Sequence, residues 1–129
     1  MKRTLFAALA ACLTVACGKE AGPVAGDLDI SATAAPTAAR AVLLRVVGPV
    51  DAAAAPAGSV YRVFASTSGD TTRIAVIAPT GVVVATGPVV TLTVPDTRRA
   101  SAYTVTAVQA SSPSYQLITP SFTFTVATP

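Results

Sequence analysis

Val89-Val90-Thr91-Leu92-Thr93-Val94 alternates apolar side chains with threonine and is closed by Pro95-Asp96. Successive side chains of a strand point to opposite faces, so Val90, Leu92 and Val94 share one face and the threonines the other. The same period of two runs outward from this stretch. Tyr103, Val105 and Ala107 oppose Thr104 and Thr106, and Phe122, Phe124 and Val126 oppose Thr123 and Thr125. Ile74, Val76 and Ala78 oppose Arg73 and Ala75, while Tyr61, Val63 and Ala65 oppose Arg62. One apolar face and one Thr-rich face describe an antiparallel sheet packed on one side only. Two such sheets face to face make a sandwich. Leu43-Leu44-Arg45-Val46-Val47 is apolar on both faces and reads as a central strand. Strands are expected at about 41–48, 59–66, 72–78, 82–86, 89–94, 101–110 and 121–127, with a weaker one near 115–118. The prolines from Pro49 onward fall in or beside the breaks, because proline cannot donate to a ladder. Ala52–Ala55 is too short for a helix and is closed by Pro56. The expected fold is an all-β antiparallel sandwich over residues 40–129.

Composition narrows the rest. The 129 residues are 52% hydrophobic and only 12% charged, which excludes disorder for most of the chain. The longest uncharged apolar run, Thr4 to Gly18, is 15 residues, short of the roughly 20 that a membrane-crossing helix needs. Histidine is absent, and with it the commonest general base and metal ligand. Arg40, Arg45, Arg62, Arg73, Arg98 and Arg99 are scattered apart from one adjacent pair, a poor footprint for nucleic acid.

The N-terminus has its own logic. Lys2-Arg3 is a positive n-region and Thr4 to Ala16 an apolar h-region ending in small residues, the layout of a secretory signal peptide. Losing it lowers the formal charge from +3 to +1. Leu13-Thr14-Val15-Ala16-Cys17 resembles the lipobox of bacterial lipoproteins, and Leu9-Ala10-Ala11-Cys12 is a rival match. In that family the Cys thiol receives diacylglycerol and becomes the first mature residue. Cys17 is the better fit, because the chain turns polar directly after it, at Gly18-Lys19-Glu20. Cleavage before Cys12 would leave a short h-region and an apolar mature end. The resemblance therefore implies residues 1–16 as signal peptide, acylation of Cys17 and a membrane partner through the lipid. Gly18, rather than Asp, implies outer-membrane sorting in a cell with two membranes. A plain secreted protein is the alternative.

Residues 17–39 are rich in Ala, Gly, Pro and Thr and read as a lipidated tether. Asp27-Leu28-Asp29-Ile30-Ser31 alternates within it and is also compatible with a short first strand. The order of strands over about 40–127 resembles the cohesin and carbohydrate-binding-module type of sandwich, with an immunoglobulin-like topology as the alternative. That resemblance implies a protein or glycan partner in the cell envelope. The exposed tryptophan platform of many carbohydrate modules has no counterpart, since the chain has no Trp.

The candidates for chemistry are few. Both cysteines lie in the leader, so the mature chain has no disulfide, thiol nucleophile or Cys-based zinc site. Asp51, Asp70 and Asp96 sit in turn-like contexts, where Asp usually caps its own backbone. Asp70 with nearby Thr hydroxyls could offer a calcium ligand, but no carboxylates cluster around it in sequence. Ser59, Ser66 and Ser68 have no base to activate them, and Ser66-Thr67-Ser68-Gly69-Asp70 reads as a hairpin loop. Tyr61 and Tyr103 fall in phase with the core, whereas Tyr115, beside Pro113 in a loop, is a candidate ligand contact. Arg98 and Arg99 follow a turn as solvated charge or as contacts to an acidic group. The expectation is a non-catalytic interaction module without cofactor or metal, tethered to a membrane. The alternative is a small hydrolase or ligand carrier, marked by a deep polar cleft holding two of Asp51, Asp70 and Asp96.

Overall fold

The computed structural model describes residues 22–129, so the expected signal peptide over residues 1–16, Cys12 and Cys17 lie outside the described residues. Nine strands form in chain order: β1 Gly26–Ala34, β2 Ala41–Val47, β3 Ala52–Ala54, β4 Arg62–Ser68, β5 Thr71–Ile77, β6 Gly87–Val94, β7 Thr104–Ser111, β8 Leu117–Ile118 and β9 Thr123–Ala127. A short 3-10 helix, Thr97–Ala102, precedes β7. The strands build two sheets, β3-β6-β1-β9 and β4-β5-β2-β7-β8, with every pairing antiparallel. The all-β sandwich read from the alternation is the fold.

The core is the sum of the inward rows. Leu28, Ile30 and Ala32 of β1 and Val90, Leu92 and Val94 of β6 meet Val42, Leu44 and Val46 of β2 and Ile74 and Val76 of β5, all essentially without solvent contact. Thr72 is the buried polar side chain among them, and its hydroxyl is satisfied by the Thr67 hydroxyl at 3.0 Å. β2 lies in the middle of its sheet, as its two apolar faces imply.

Three expectations need correction. Residues 26–34 are not tether: β1 pairs with both β6 and β9, and Leu28 and Ile30 are fully buried. The folded part therefore begins at Gly26 rather than at residue 40. Residues 82–86 are not a strand; Val84 plugs the core from a loop, donating its amide to Ala39 O. Tyr61 Oη fastens the same loop, accepting from Ala85 N at 3.1 Å. Finally, Ala52–Ala54 is a strand, held by its register opposite Thr93, Leu92 and Thr91.

The registers define two ends of the sandwich. The lower end gathers Gly26, Gly48 to Asp51, Asp70 and the 3-10 helix. The upper end gathers Arg40, Ala78 to Thr86 and Ser112 to Gln116. At the lower end Gly48 has φ +139°, and a Cβ there would stand 2.5 Å from the Tyr103 ring. Only glycine lets the chain pass beneath that ring. Tyr103 is buried and donates its hydroxyl to Pro49 O.

Candidate functional site

The outer face of the five-stranded sheet can be read as rows across its registers. The uppermost outward row is Arg62–Ile77–Ala41–Ser111–Leu117, and the next is Phe64–Ala75–Leu43–Gln109. A third row, Ser66–Arg73–Arg45–Thr106, lies below them. Threonines do face outward at the lower part of this sheet, as Thr71, Thr104 and Thr106, but the upper rows are mostly apolar and the third carries two arginines. Phe64 is 58% exposed and Leu117 72% exposed, so large apolar side chains stand in solvent at both edges of the sheet. A bulge at Val108, between Gln109 opposite Leu43 and Ala107 opposite Leu44, leaves that valine exposed as well. Bulges re-aim side chains and end regular pairing.

Two depressions run across these rows. One, of about 430 Å³, is lined by Arg40, Arg62, Phe64, Ile77, Pro79 and Thr80. The other, of about 160 Å³, lies over Leu43, Ala75, Ile77, Gln109 and Leu117. They meet at Ile77.

Tyr115 closes the upper border. It is 81% exposed and is the one non-glycine among the described residues with positive φ, at 66°. Ser112 to Gln116 form a tight turn, with Tyr115 N donating to Ser112 O at 2.9 Å and Ser112 N to Gln116 O at 2.8 Å. The residue after such a turn takes the left-handed conformation, which glycine adopts at least cost. Arg40 anchors the tyrosine: Nη1 donates to Tyr115 Oη at 3.1 Å, Nε to Ala78 O at 3.2 Å and Nη2 to Thr80 Oγ1 at 3.3 Å. The guanidinium carbon lies 5.7 Å from the Tyr115 ring centroid, within cation–π reach.

Arg45 stands directly opposite Arg73 on β2 and β5, and both are exposed. Among the described residues the salt bridge formed is Arg98 Nε to Asp96 Oδ1, at 3.1 Å, so neither Arg45 nor Arg73 has a carboxylate partner there. Like charges directly opposite in a sheet are destabilising. The described carboxylates lie elsewhere: Asp27 and Asp29 on β1 of the other sheet, and Asp51, Asp70 and Asp96 at the lower end.

The sequence candidates therefore separate. Arg98 and Arg99 belong to the 3-10 helix, and Tyr115 lies beyond the far end of β7, about 25 Å away for eight residues of strand. Asp96 caps the 3-10 helix, accepting from Arg98 N at 3.1 Å and from Val24 N at 3.3 Å. The side-chain hydrogen bond from Arg98 holds the Asp96 carboxyl down at about 2. Burial raises the Tyr103 phenol above its ordinary value, and the charges of Asp51 and Asp96 raise it further. A lower cleft of about 360 Å³ is lined by Pro23, Pro49, Pro95, Asp96, Arg99 and Tyr103, with neither Asp51 nor Asp70 on its wall. Asp70 is an exposed residue of the two-residue β4–β5 hairpin turn, and no metal-binding group of three acidic, Cys or His side chains occurs among the described residues. Tyr61 and Tyr103 are core-side residues, as their phase implies.

The exposed face went unread in the sequence although its residues are plain there. Phe64 shares the Arg62 side of β4, opposite to Tyr61, Val63 and Ala65. Only the register shows that it continues into Ala75, Leu43 and Gln109. No protein-family model, curated protein or solved structure matches the chain.

Proposed function

We propose that this chain is an exported lipoprotein, anchored through an acylated Cys17, that works as a non-catalytic interaction module in the cell envelope. The observation that carries the reading is the outer face of the five-stranded sheet. Phe64 and Leu117 are exposed at the two edges of this face, with Tyr115 at its upper border and Arg45 and Arg73 unpaired with any carboxylate among the described residues. Large apolar groups gathered on one exposed face mark an interaction site more often than an accident of packing. The lower cleft holds Asp96 alone of Asp51, Asp70 and Asp96, while Asp27 and Asp29 line a depression of about 550 Å³ on the other sheet and each accept a threonine hydroxyl there.

The fold also shortens the tether. Val24 O accepts from Thr97 N at 2.8 Å and Val24 N donates to Asp96, so the chain is fixed to the domain from there on. The seven residue steps from Cys17 to Val24 span at most about 25 Å. Because the chain enters at the lower end, the Tyr115 end faces away from the anchoring membrane. Two or more acyl chains hold a protein stably to a bilayer, where one does so only marginally.

The test is site-specific photo-crosslinking on intact cells. A photoreactive residue at Leu117 or Phe64 gives discrete adducts, and one at Thr93 on the opposite face gives none. In parallel, Cys17→Ser abolishes palmitate labelling and membrane retention, and Cys12→Ser leaves both intact. Identical adduct patterns from the two faces overturn the interaction reading; labelling that follows Cys12 instead moves the anchor.

A further inference from the structure

We infer that the outer face of the five-stranded sheet is a docking track for an acidic amphipathic helix of a partner protein. The inference rests on the interaction reading above and assigns the chemistry of the partner. The two upper rows run from Phe64 on β4 through Ile77, Ala75, Ala41 and Leu43 to Leu117 on β8, with the polar Ser111 and Gln109 as their β7 members and the exposed Val108 bulge beside them. Four strand spacings make a track about 19 Å long, the length of about 13 helical residues. The two shallow depressions meet at Ile77 and offer seats for apolar side chains along the track.

Charge sets the occupant. Arg73 and Arg45 flank the track below, and Arg62 and Arg40 lie at its upper side, so cations stand on both of its long borders. None of the residues in the three upper outward rows is acidic, and the acid of this sheet, Asp70, lies in the hairpin turn at its lower edge. A strand laid along the track would point its side chains alternately down into it and away from it, leaving few charges to meet the borders. An α-helix, about 10 Å wide, places apolar residues on its lower face and carboxylates on both flanks at once. Its carboxylates would relieve the Arg45–Arg73 opposition, and bidentate pairing suits guanidinium. A membrane surface fits less well. The lower end, where the chain enters the domain, carries Asp51, Asp70 and Asp96, which an anionic bilayer surface would repel.

The probe is a fluorescent peptide of about 14 residues, with leucine at helical i, i+3, i+4, i+7 spacing and glutamate on both flanks. It is titrated against the full chain purified in neutral detergent, with anisotropy as the readout. Saturable binding is expected, weakened about tenfold or more by Arg45→Glu with Arg73→Glu, and likewise by Phe64→Ser with Leu117→Ser. A lysine-flanked version of the peptide should bind the double Glu variant better than wild type, while the variant keeps the cooperative thermal melt of the folded chain. Four results overturn the inference: equal binding of the lysine-flanked peptide to wild type, equal binding when serine replaces the leucines, displacement of the peptide by anionic vesicles or a polyuronate, or absence of peptide binding. Leu117 photo-adducts would persist in that last case if the interaction reading alone is right and vanish if it is wrong too.

Discussion

The two outer faces of the sandwich cover one core but treat their polar groups in opposite ways. On the four-stranded sheet, Thr91 donates to Asp29 at 2.7 Å and Thr93 to Asp27 at 3.1 Å, while Thr33 and Thr123 share a hydrogen bond of 2.8 Å. Each of these pairs is answered within its own face, across neighbouring strands. On the five-stranded sheet, Arg45 meets Arg73, and Phe64 and Leu117 stand in solvent. Packing requires nothing of either outer face, because the inward rows alone make the core. The first face answers its own polar groups, whereas the second leaves large apolar groups and opposed like charges in solvent, the feature on which the proposed docking rests.

The strongest way to break the comparison is to show that the polar face is dispensable covering rather than part of the fold. It is carried by β1, whose inward Leu28 is fully buried between the sheets. Leu28→Ala should cost about 2–5 kcal/mol in urea melts, and a chain lacking residues 1–34 should lose its cooperative transition altogether. A shortened chain that melts as the full one does would return residues 26–34 to the tether.

The next contrast compares one side chain from each face. Thr91→Val leaves Asp29 without its hydroxyl donor and should destabilise by about 1 kcal/mol. Phe64→Ser removes a larger group yet should stay within about 0.5 kcal/mol, since 58% of the phenylalanine is exposed and it packs on little. Paired thermal melts decide it. If the phenylalanine proves the costlier change, the apolar track is structural and its functional reading weakens.

What the sequence made legible follows the same division. Wherever one face was apolar and the other Thr-rich, as in Val89–Val94 and Thr123–Ala127, period two located the strand and its inward side. β1 was obscured because Leu28 and Ile30 are embedded among Ala, Gly and Pro, a composition that mimics a linker. β3 was invisible in principle: Ala52–Ala54 has no strand preference and is extended only because β6 lies beside it. Val82 to Thr86 shows the reverse error. It has a strand's composition but lies between Gly81 at φ 84° and Gly87 at φ 111°, and it spends its one buried side chain, Val84, as a plug. The candidate site needed register. Tyr115 was visible as a loop aromatic, but the continuity of Phe64, Leu43 and Leu117 exists only once five strands are aligned.

A smaller effect sharpens the comparison by reversing its sign. If Arg73 is held in place for a partner and opposes Arg45 in the free protein, Arg73→Thr should stabilise the chain by about 0.2–1 kcal/mol. The gain should shrink as salt is raised from low ionic strength, because exposed charges are screened over about 10 Å at 0.1 M. Asp27→Thr on the other face should give no such gain, since Asp27 already accepts from Thr93. A loss of stability at Arg73 would mean that the arginine pays its way through its aliphatic stem.

The smallest expected effect lies at the lower end, where neither face extends. Asp96 is held down at about 2 from its ordinary 3.8, first by the side-chain hydrogen bond from Arg98 and further by the amides of Arg98 and Val24. The folded state thus binds this proton less readily than the unfolded chain. The contribution is complete above about pH 4 and is lost as pH falls through about 2. Asn caps a helix nearly as well as Asp, so Asp96→Asn keeps the cap geometry and removes only the titration. Melting temperatures measured from neutral pH down to about 2 should show the variant slightly less stable at the top and converging on wild type at the bottom. Because the ion pair is exposed, the gap should be small and salt-sensitive. Parallel curves over the whole acid limb would show that the carboxylate charge contributes nothing, leaving the tie between Val24 and the 3-10 helix to the two hydrogen bonds from Thr97 to Val24 O.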